Sequence, residues 1–346
     1  MLPFGARVWV DKPPLPSPLT TRRLCLPPPT GRPSARWNLG APFAIGVAPL
    51  ASGSTTFADA VELAQGFTFP VVAAYRTWHG DVKSSAGAFV VLNSDGWIVT
   101  AAHMLRIATQ AQGDRPKVDE LESQIRLAES DATARPELRH RKVKRLRGTA
   151  DQTWITSHSY WWAENGVSLR EVTVVEEADL AVARLEPFDP SRTASYPVIK
   201  NPTRLRAGTS LCRLGFPFHS IKVSYDSGTD TFGMDQKFTF FPSEGIYTRT
   251  LAVDGLAQAK YPLRFLETSS PGLKGQSGGP VFDTAGRVWG VQSRTRHIPL
   301  GFNPEIEIDG KRTVEHQFIN LGEAVHPETF VAILQDLGIR FELSAE

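Results

Sequence analysis

Three side chains of this 346-residue chain have the types, and the order, that nucleophilic catalysis needs. Ser277 lies in Gly275-Gln276-Ser277-Gly278-Gly279-Pro280, one hydroxyl between glycines. Each glycine costs about 0.5–1 kcal/mol relative to alanine in regular structure. A flexible turn is the simple reading. The sharper one is a backbone that must come close to a reacting carbonyl and point N–H groups at its oxygen as charge develops there. A serine hydroxyl is a poor nucleophile at neutral pH and needs a base as it attacks. Of the eight histidines (His79, His103, His140, His158, His219, His297, His316 and His326), His103 stands where a β-type run, WIVTAA, ends, with small Ala101 and Ala102 beside it. A histidine at a strand end is held rigidly and still faces a cleft. A base in turn needs an orienting carboxylate. Asp179 stands between VTVVEEA and LAVARL, directly against an apolar run. An aspartate buried there must have a partner, because an unpaired buried carboxylate is costly.

The elements that must position these residues read as short strands. From Phe67 onward, PVVAAYRTW, GAFVVLNSDGWIVTAAH, REVTVVEEADLAVARL, TSLCRLGFP and GPVFDTAGRVWGVQS are runs of β-branched and aromatic residues between turn residues. Asn93-Ser94-Asp95-Gly96 and Asp283-Thr284-Ala285-Gly286 read as hairpin turns. Many short strands at regular spacing predict an all-β, mainly antiparallel barrel or sandwich. Near the end, Phe330, Ile333, Leu334 and Leu337 fall at i, i+3, i+4 and i+7, with Pro327 in the first turn and Gly338 past the last. That spacing predicts a closing helix. A thinner stripe of Val118, Leu121 and Ile125 predicts another.

Composition bounds the function. Hydrophobic residues at 41% and charged residues at 21% fit a globular protein with a sizeable core. A net charge of +2 singles out no nucleic-acid or membrane partner. No apolar run approaches the roughly 20 residues that cross a bilayer. The first twenty residues lack a basic segment followed by an apolar one, so a cytoplasmic location is expected. Cys25 and Cys212, the two cysteines, make neither a disulfide framework nor a zinc cluster. No metal and no cofactor is expected. Residues 1–66, rich in proline, read as an extension without helices or central strands.

TAAH at 100–103, ADLAVARL at 178–185 and GQSGGP at 275–280 follow in the order His, Asp, Ser. Together they resemble the signature segments of trypsin-like (chymotrypsin-fold) serine proteases, and are similar to the bacterial HtrA-like group. The resemblance covers roughly 67–340, and 341–346 reads as a tail. It implies two six-stranded antiparallel β-barrels and a serine endopeptidase acting through an acyl-enzyme. Ser277 would be the nucleophile, His103 the general base and then acid, and Asp179 the orienting group. The N–H groups of Gly275 and Ser277 would form the oxyanion hole. Ser293 would pack near the aspartate, and Ser293, Arg294 and Thr295 would pair with a peptide substrate as an added strand. Gln276 stands where an acid or asparagine is often found, and its side chain is not required by the chemistry. No PDZ module after the closing helix and no activation through an IVGG-type start are expected.

The pocket walls would come from about 269–274 and 293–297. Lys274, Arg294, Arg296 and His297 could form a positive rim there, although long cationic side chains more often point to solvent. His103 and Asp179 are 76 residues apart (179 − 103), longer than the compact family pattern. The excess is an insert at about 112–165 holding RPELRHRKVKRLR, a basic run with Glu137 as its one acid. A solvated segment, or one paired with the acidic helix before it, accounts for that run, and no aromatic is interleaved for stacking on single strands. Nucleic acid is therefore not the expected partner, and the insert at 112–165 is a surface excursion able to gate the cleft or to recognise a regulatory partner. Two rivals stand beside the protease: a catalytically silent scaffold of the same fold, and a nucleic-acid or acidic-partner binder working through the basic run.

Overall fold

The computed structural model describes residues 22–24, 56–253, 259–308 and 311–345. Two mainly antiparallel sheets, one after the other in the chain, carry the architecture. The first has seven strands: β1 Arg22–Leu24, β2 Thr68–Thr77, β3 Val82–Val91, β4 Trp97–Ala101, β5 Ile155–Trp162, β6 Ser168–Val175 and β7 Leu180–Glu186. Their order is β1-β6-β7-β4-β3-β2-β5. The six strands β2–β7 form a barrel with no ladder across the β5/β6 seam.

The second sheet is built on β8 Val198–Ile199, β9 Ser210–Arg213, β12 Ser243–Ala252, β13 Arg264–Thr268, β14 Pro280–Phe282, β15 Val288–Pro299, β18 Phe318–Val325 and β19 Glu342–Leu343. Between these run two separate hairpins, β10 Val223–Asp226 with β11 Thr231–Met234 and β16 Glu305–Ile308 with β17 Lys311–Val314. The ladder β14-β9-β12-β13-β18-β15 returns to β14, so these six strands close on themselves. Closure removes the exposed strand edges of the ring. The expected pair of six-stranded barrels is present, one closed and one open at a seam.

Both hairpin turns form as read. Gly96 and Gly286 take φ of +81° and +74°, and Leu92 N–H donates to the Trp97 carbonyl at 2.7 Å. Period-two burial follows from the pleat. Phe89, Val91, Ile98, Ala101, Trp162 and Leu185 fill the first barrel, while Leu211, Tyr247, Leu266, Val281 and Trp289 fill the second. A third cluster, with Val90, Val99, Val182, Phe265, Phe282 and Val325, lies where the barrels meet. Burying each such side chain stabilises by about 1.5–3 kcal/mol. This shared core fixes the two barrels against each other and therefore fixes the cleft between them. The closing helix, α4, spans Pro327–Asp336; Gly338 lies beyond it at φ +65°.

Three expectations change. The stretch 1–66 does contain a helix: α1, Ala58–Gln65, buries Ala60 and Ala64 completely against the shared core. The prolines lie upstream of it, so nothing in 58–65 opposes a helix. Strand β1 also falls in that stretch, at the edge of its sheet; the rest of 1–55 lies outside the described residues. The insert is shorter and earlier than 112–165. Helix α2 runs from Arg106 to Ser130 and α3 from Pro136 to Arg147, and 155–162 is barrel strand β5. α2 passes through Pro116 because Ala108, Ala111, Val118, Leu121, Ile125 and Ala128 are all buried along one face. The basic run is thus itself a helix. It has no buried residue, and one ion pair, Arg147–Glu129 at 3.4 Å, joins it to α2. Finally, the segment 341–346 holds β19, which pairs in parallel with β8.

Candidate active site

His103 and Asp179 are brought together by strand register. β4 and β7 pair Ala101 with Leu180, so the residue two after one and the residue one before the other meet at the same end of the ladder. Ala102 N–H donates to the Asp179 carbonyl at 3.1 Å. His103 then sits in a single 3-10 turn, Ala102–Leu105. Asp179 adopts the left-handed conformation, φ +51° and ψ +43°. Aspartate is among the few non-glycine types that enter this region readily.

The carboxylate is 8% exposed and has three neighbours. His103 Nδ1 lies 2.9 Å from Oδ2 and 3.1 Å from Oδ1, the His103 backbone N–H donates to Oδ1 at 2.9 Å, and the Ser293 hydroxyl donates to Oδ2 at 2.6 Å. Burial alone would raise its pKa. The His103 ring and its charge, the Ser293 hydroxyl and the His103 backbone N–H outweigh burial and hold it below the usual carboxylate range. Asp179 is therefore ionised at neutral pH, with Nδ1 of His103 as the nitrogen it binds. Nε2 is left for chemistry on the open side.

Ser277 comes from the second barrel. Its carbonyl accepts from Ala88 N–H of β3 at 2.8 Å, a bond that ties the serine loop to the first barrel. Two glycines make the approach possible. Gly275 takes φ +98°, and a Cβ there would come within 2.3 Å of the Phe216 carbonyl oxygen. Gly278 takes φ +85°, and a Cβ would come within 2.1 Å of the Ala88 oxygen. The glycines are there for close backbone packing, as their spacing implied. Gln276 N–H donates to the Leu273 carbonyl at 2.9 Å and Gly278 N–H to the Gln292 carbonyl at 2.8 Å. Among the described residues the N–H groups of Gly275 and Ser277 have no partner. The Ser277 hydroxyl points to the Ser293 carbonyl at 3.5 Å and makes no hydrogen bond to His103 among the described residues.

Gln276 was read as chemically dispensable, yet it is fully buried. Its Oε1 accepts from Leu273 N–H at 2.9 Å, and its Nε2 donates to the Phe241 carbonyl at 3.3 Å and to Ser243 Oγ at 3.1 Å. It plays no part in bond making, but it pins the loop that carries the Gly275 and Ser277 donors.

The remaining site residues separate into two groups. Ser293 is buried beside Asp179, and the β15 edge beyond Val291 carries no strand from β14. Thr295 Oγ1 donates to the Gly272 carbonyl at 2.6 Å. The positive rim is largely neutralised. Arg294 pairs with buried Glu323 at 2.7 Å, and Arg296 contacts both Glu267 and Glu323. Lys274 is exposed, and so is His297. The buried cation near this cleft is one the rim reading passed over, Arg213. Its signal in the sequence was an arginine inside an apolar run, LCRLGF.

Two β-barrels, the first carrying His103 and Asp179 and the second Ser277, define a class of fold. A family model described as "Trypsin-like peptidase domain" matches residues 87–291. That span is more than half of the chain, and the chain belongs to this family of serine endopeptidases. A search of curated proteins finds no match. Among solved structures, the chain is similar to the HtrA-type protease AlgWS227A with tripeptide, at 15% identity and TM-score 0.42, over 82% of this chain and 64% of that one. It is also similar to the Rv3671c protease from M. tuberculosis, active form, at 13% identity and TM-score 0.43, over 89% of this chain and 97% of that one. The chain thus spans slightly under two thirds of the first of these. Among the described residues no helix is long and apolar enough to cross a membrane.

Proposed function

We propose that the chain hydrolyses peptide bonds through His103, Asp179 and Ser277. The observation that carries this is the grip on His103: one carboxylate holds both its ring Nδ1 and its backbone N–H, and Ser293 holds that carboxylate in turn. In the reaction, Ser277 Oγ attacks the substrate carbonyl carbon while its proton passes to His103 Nε2. The resulting oxyanion accepts from Gly275 and Ser277 N–H. His103 then gives the proton to the leaving amine as the C–N bond breaks, and water repeats the sequence on the acyl-enzyme. For this the Ser277 hydroxyl must leave the Ser293 carbonyl. A substrate strand added along Ser293–Thr295 would take over that carbonyl with its own N–H.

The reading includes a limited set of protein or peptide substrates and a cytosolic place of action. A fluorophosphonate probe should label the wild type and leave Ser277→Ala unlabelled. Equal labelling of both, or labelling of neither, would overturn the triad.

A second reading concerns the hairpin α2–α3, which begins three residues after His103. Arg141, Lys142 and Arg145 of α3 are exposed, which favours an acidic regulatory partner there. Polyglutamate should change the labelling rate of the wild type and not that of a variant with these three residues changed to glutamate. An unchanged wild-type rate would count against it.

A further inference from the structure

Beside the serine loop a guanidinium is buried with no counterion among the described residues. Arg213, at the end of β9, is 1% exposed. Its Nε donates to Gln292 Oε1 at 2.7 Å and its Nη1 to Ser270 Oγ at 2.7 Å. Its Nη2 has no partner among the described residues. Neither acceptor carries charge, and among the described residues no carboxylate lies within ion-pair distance of Arg213. Burial lowers its pKa to about 10, so it stays protonated at neutral pH. A buried, unpaired cation with an idle donor is costly to fold around, and such an arrangement points to an anion that arrives later.

The contacts of Arg213 say where that anion would sit. Ser270 opens the segment 270–276 that leads to Ser277. Gln292 directly precedes Ser293, whose carbonyl the Ser277 hydroxyl touches. Nη2 itself lies against Gly322, where a Cβ would stand 2.3 Å from it. Gly322 is paired with Thr295 across β15 and β18, and its N–H donates to the Ser270 carbonyl at 2.9 Å. The guanidinium therefore lies beneath the segments 270–274 and 292–295 and Gly322, which close over it. Only glycine at 322 leaves room for it. The two segments are joined as they stand, because the Thr295 hydroxyl donates to the Gly272 carbonyl at 2.6 Å. An entering side chain has to displace that one bond, which frees the Thr295 hydroxyl as a further donor.

We infer that Arg213 is the specificity-determining residue for an acidic side chain, glutamate or aspartate, on the substrate residue whose carbonyl Ser277 attacks. The carboxylate would accept from Nη2 and from the Thr295 hydroxyl. Glutamate suits a buried donor better than aspartate. Exposed Arg294 and half-buried Arg296 add little, since Glu267 and Glu323 already neutralise them. The inference rests on the protease reading of the same site.

The test compares four peptides identical except at that residue, carrying Glu, Gln, Leu or Lys, together with peptidyl phosphonates carrying Glu or Leu there. Glu and Gln differ in charge and hardly in shape. Leaving the buried cation unanswered should cost the Gln peptide about 100-fold or more in kcat/KM. The Glu phosphonate should modify Ser277 correspondingly faster than the Leu one. In Arg213→Met, the Glu-over-Gln ratio should collapse to near one while the Leu peptide improves. Where that variant does not fold, the wild-type Glu-to-Gln and phosphonate ratios decide alone. Leu or Lys favoured over Glu, or Glu and Gln handled alike, overturns the specificity and leaves the protease reading standing. Failure of every peptide and phosphonate, with no fluorophosphonate labelling, overturns both.

Discussion

Replacing Gln276 by alanine isolates the energetics of the serine loop. The side chain is completely buried, so its bonds compete with no water. Gln276→Ala strips Leu273 N–H of its acceptor and the Phe241 carbonyl and Ser243 hydroxyl of their donor. Leaving one such group unsatisfied costs about 1–3 kcal/mol. Taking the lower end for the Leu273 N–H and the Phe241 carbonyl, the loop loses about 2 kcal/mol of preference for the conformation that aims Gly275 and Ser277 N–H at one point. At about 1.36 kcal/mol per tenfold in rate, this corresponds to about 30-fold. The oxyanion exists in the transition state and not in the bound substrate, so the loss should fall on kcat and move KM by less than threefold. Steady-state kinetics on an activated ester, with near-UV circular dichroism as the check on folding, gives the answer. A folded Gln276→Ala enzyme with kcat within threefold of wild type would show that the loop is held without Gln276, and the reasoning would fail.

Ser293→Ala removes the 2.6 Å bond to Asp179 and should lower kcat/KM about 10- to 100-fold, since a hydrogen bond to a charged group is worth about 1.5–3 kcal/mol. The Asp179 carboxyl should then titrate at higher pH, which NMR of its carboxyl carbon would register; an unmoved titration refutes the bond's contribution. His326 caps α4 through Nδ1, which accepts from Glu328 N–H at 3.1 Å, and burial, with Arg264 nearby, lowers its pKa from 6.5 to about 4. Its folded form resists protonation, so the unfolded state binds the extra proton between those values and stability falls as pH drops through that window. The two pKa values give a loss of about 2 kcal/mol between pH 7.5 and pH 5. His326→Asn keeps a capping acceptor and should remove that part of the pH dependence in urea denaturation. An equal slope in both proteins would refute it.

Local chemistry made much of the molecule legible. Both hairpin turns, the closing helix and the order His103, Asp179, Ser277 could be read because each depends on residues close in sequence: a glycine at positive φ, an apolar period, a proline in a first turn. Helix α2 was only half visible. Its buried stripe starts at Ala108, but Gly113 and Pro116 interrupt the local signal, and packing overrides what propensity there opposes. The helix α1 was masked in the same way by the proline-rich composition of the residues upstream.

By itself the sequence determined which groups could do chemistry and that short strands would carry them. It also placed glycines around Ser277, but the steric reason for them is tertiary: 275 packs against the Phe216 carbonyl and 278 against the Ala88 carbonyl. Tertiary structure alone decided which charges meet. Strand register, not sequence distance, sets Asp179 against His103. Pairing of β15 with β18 gives Arg294 to Glu323 and so quiets the rim. Closure of the second barrel buries Arg213 between Ser270, Gln292 and Gly322, from three distant segments. Electrostatic consequences depend on burial and on through-space neighbours, and neither is a local property of the chain.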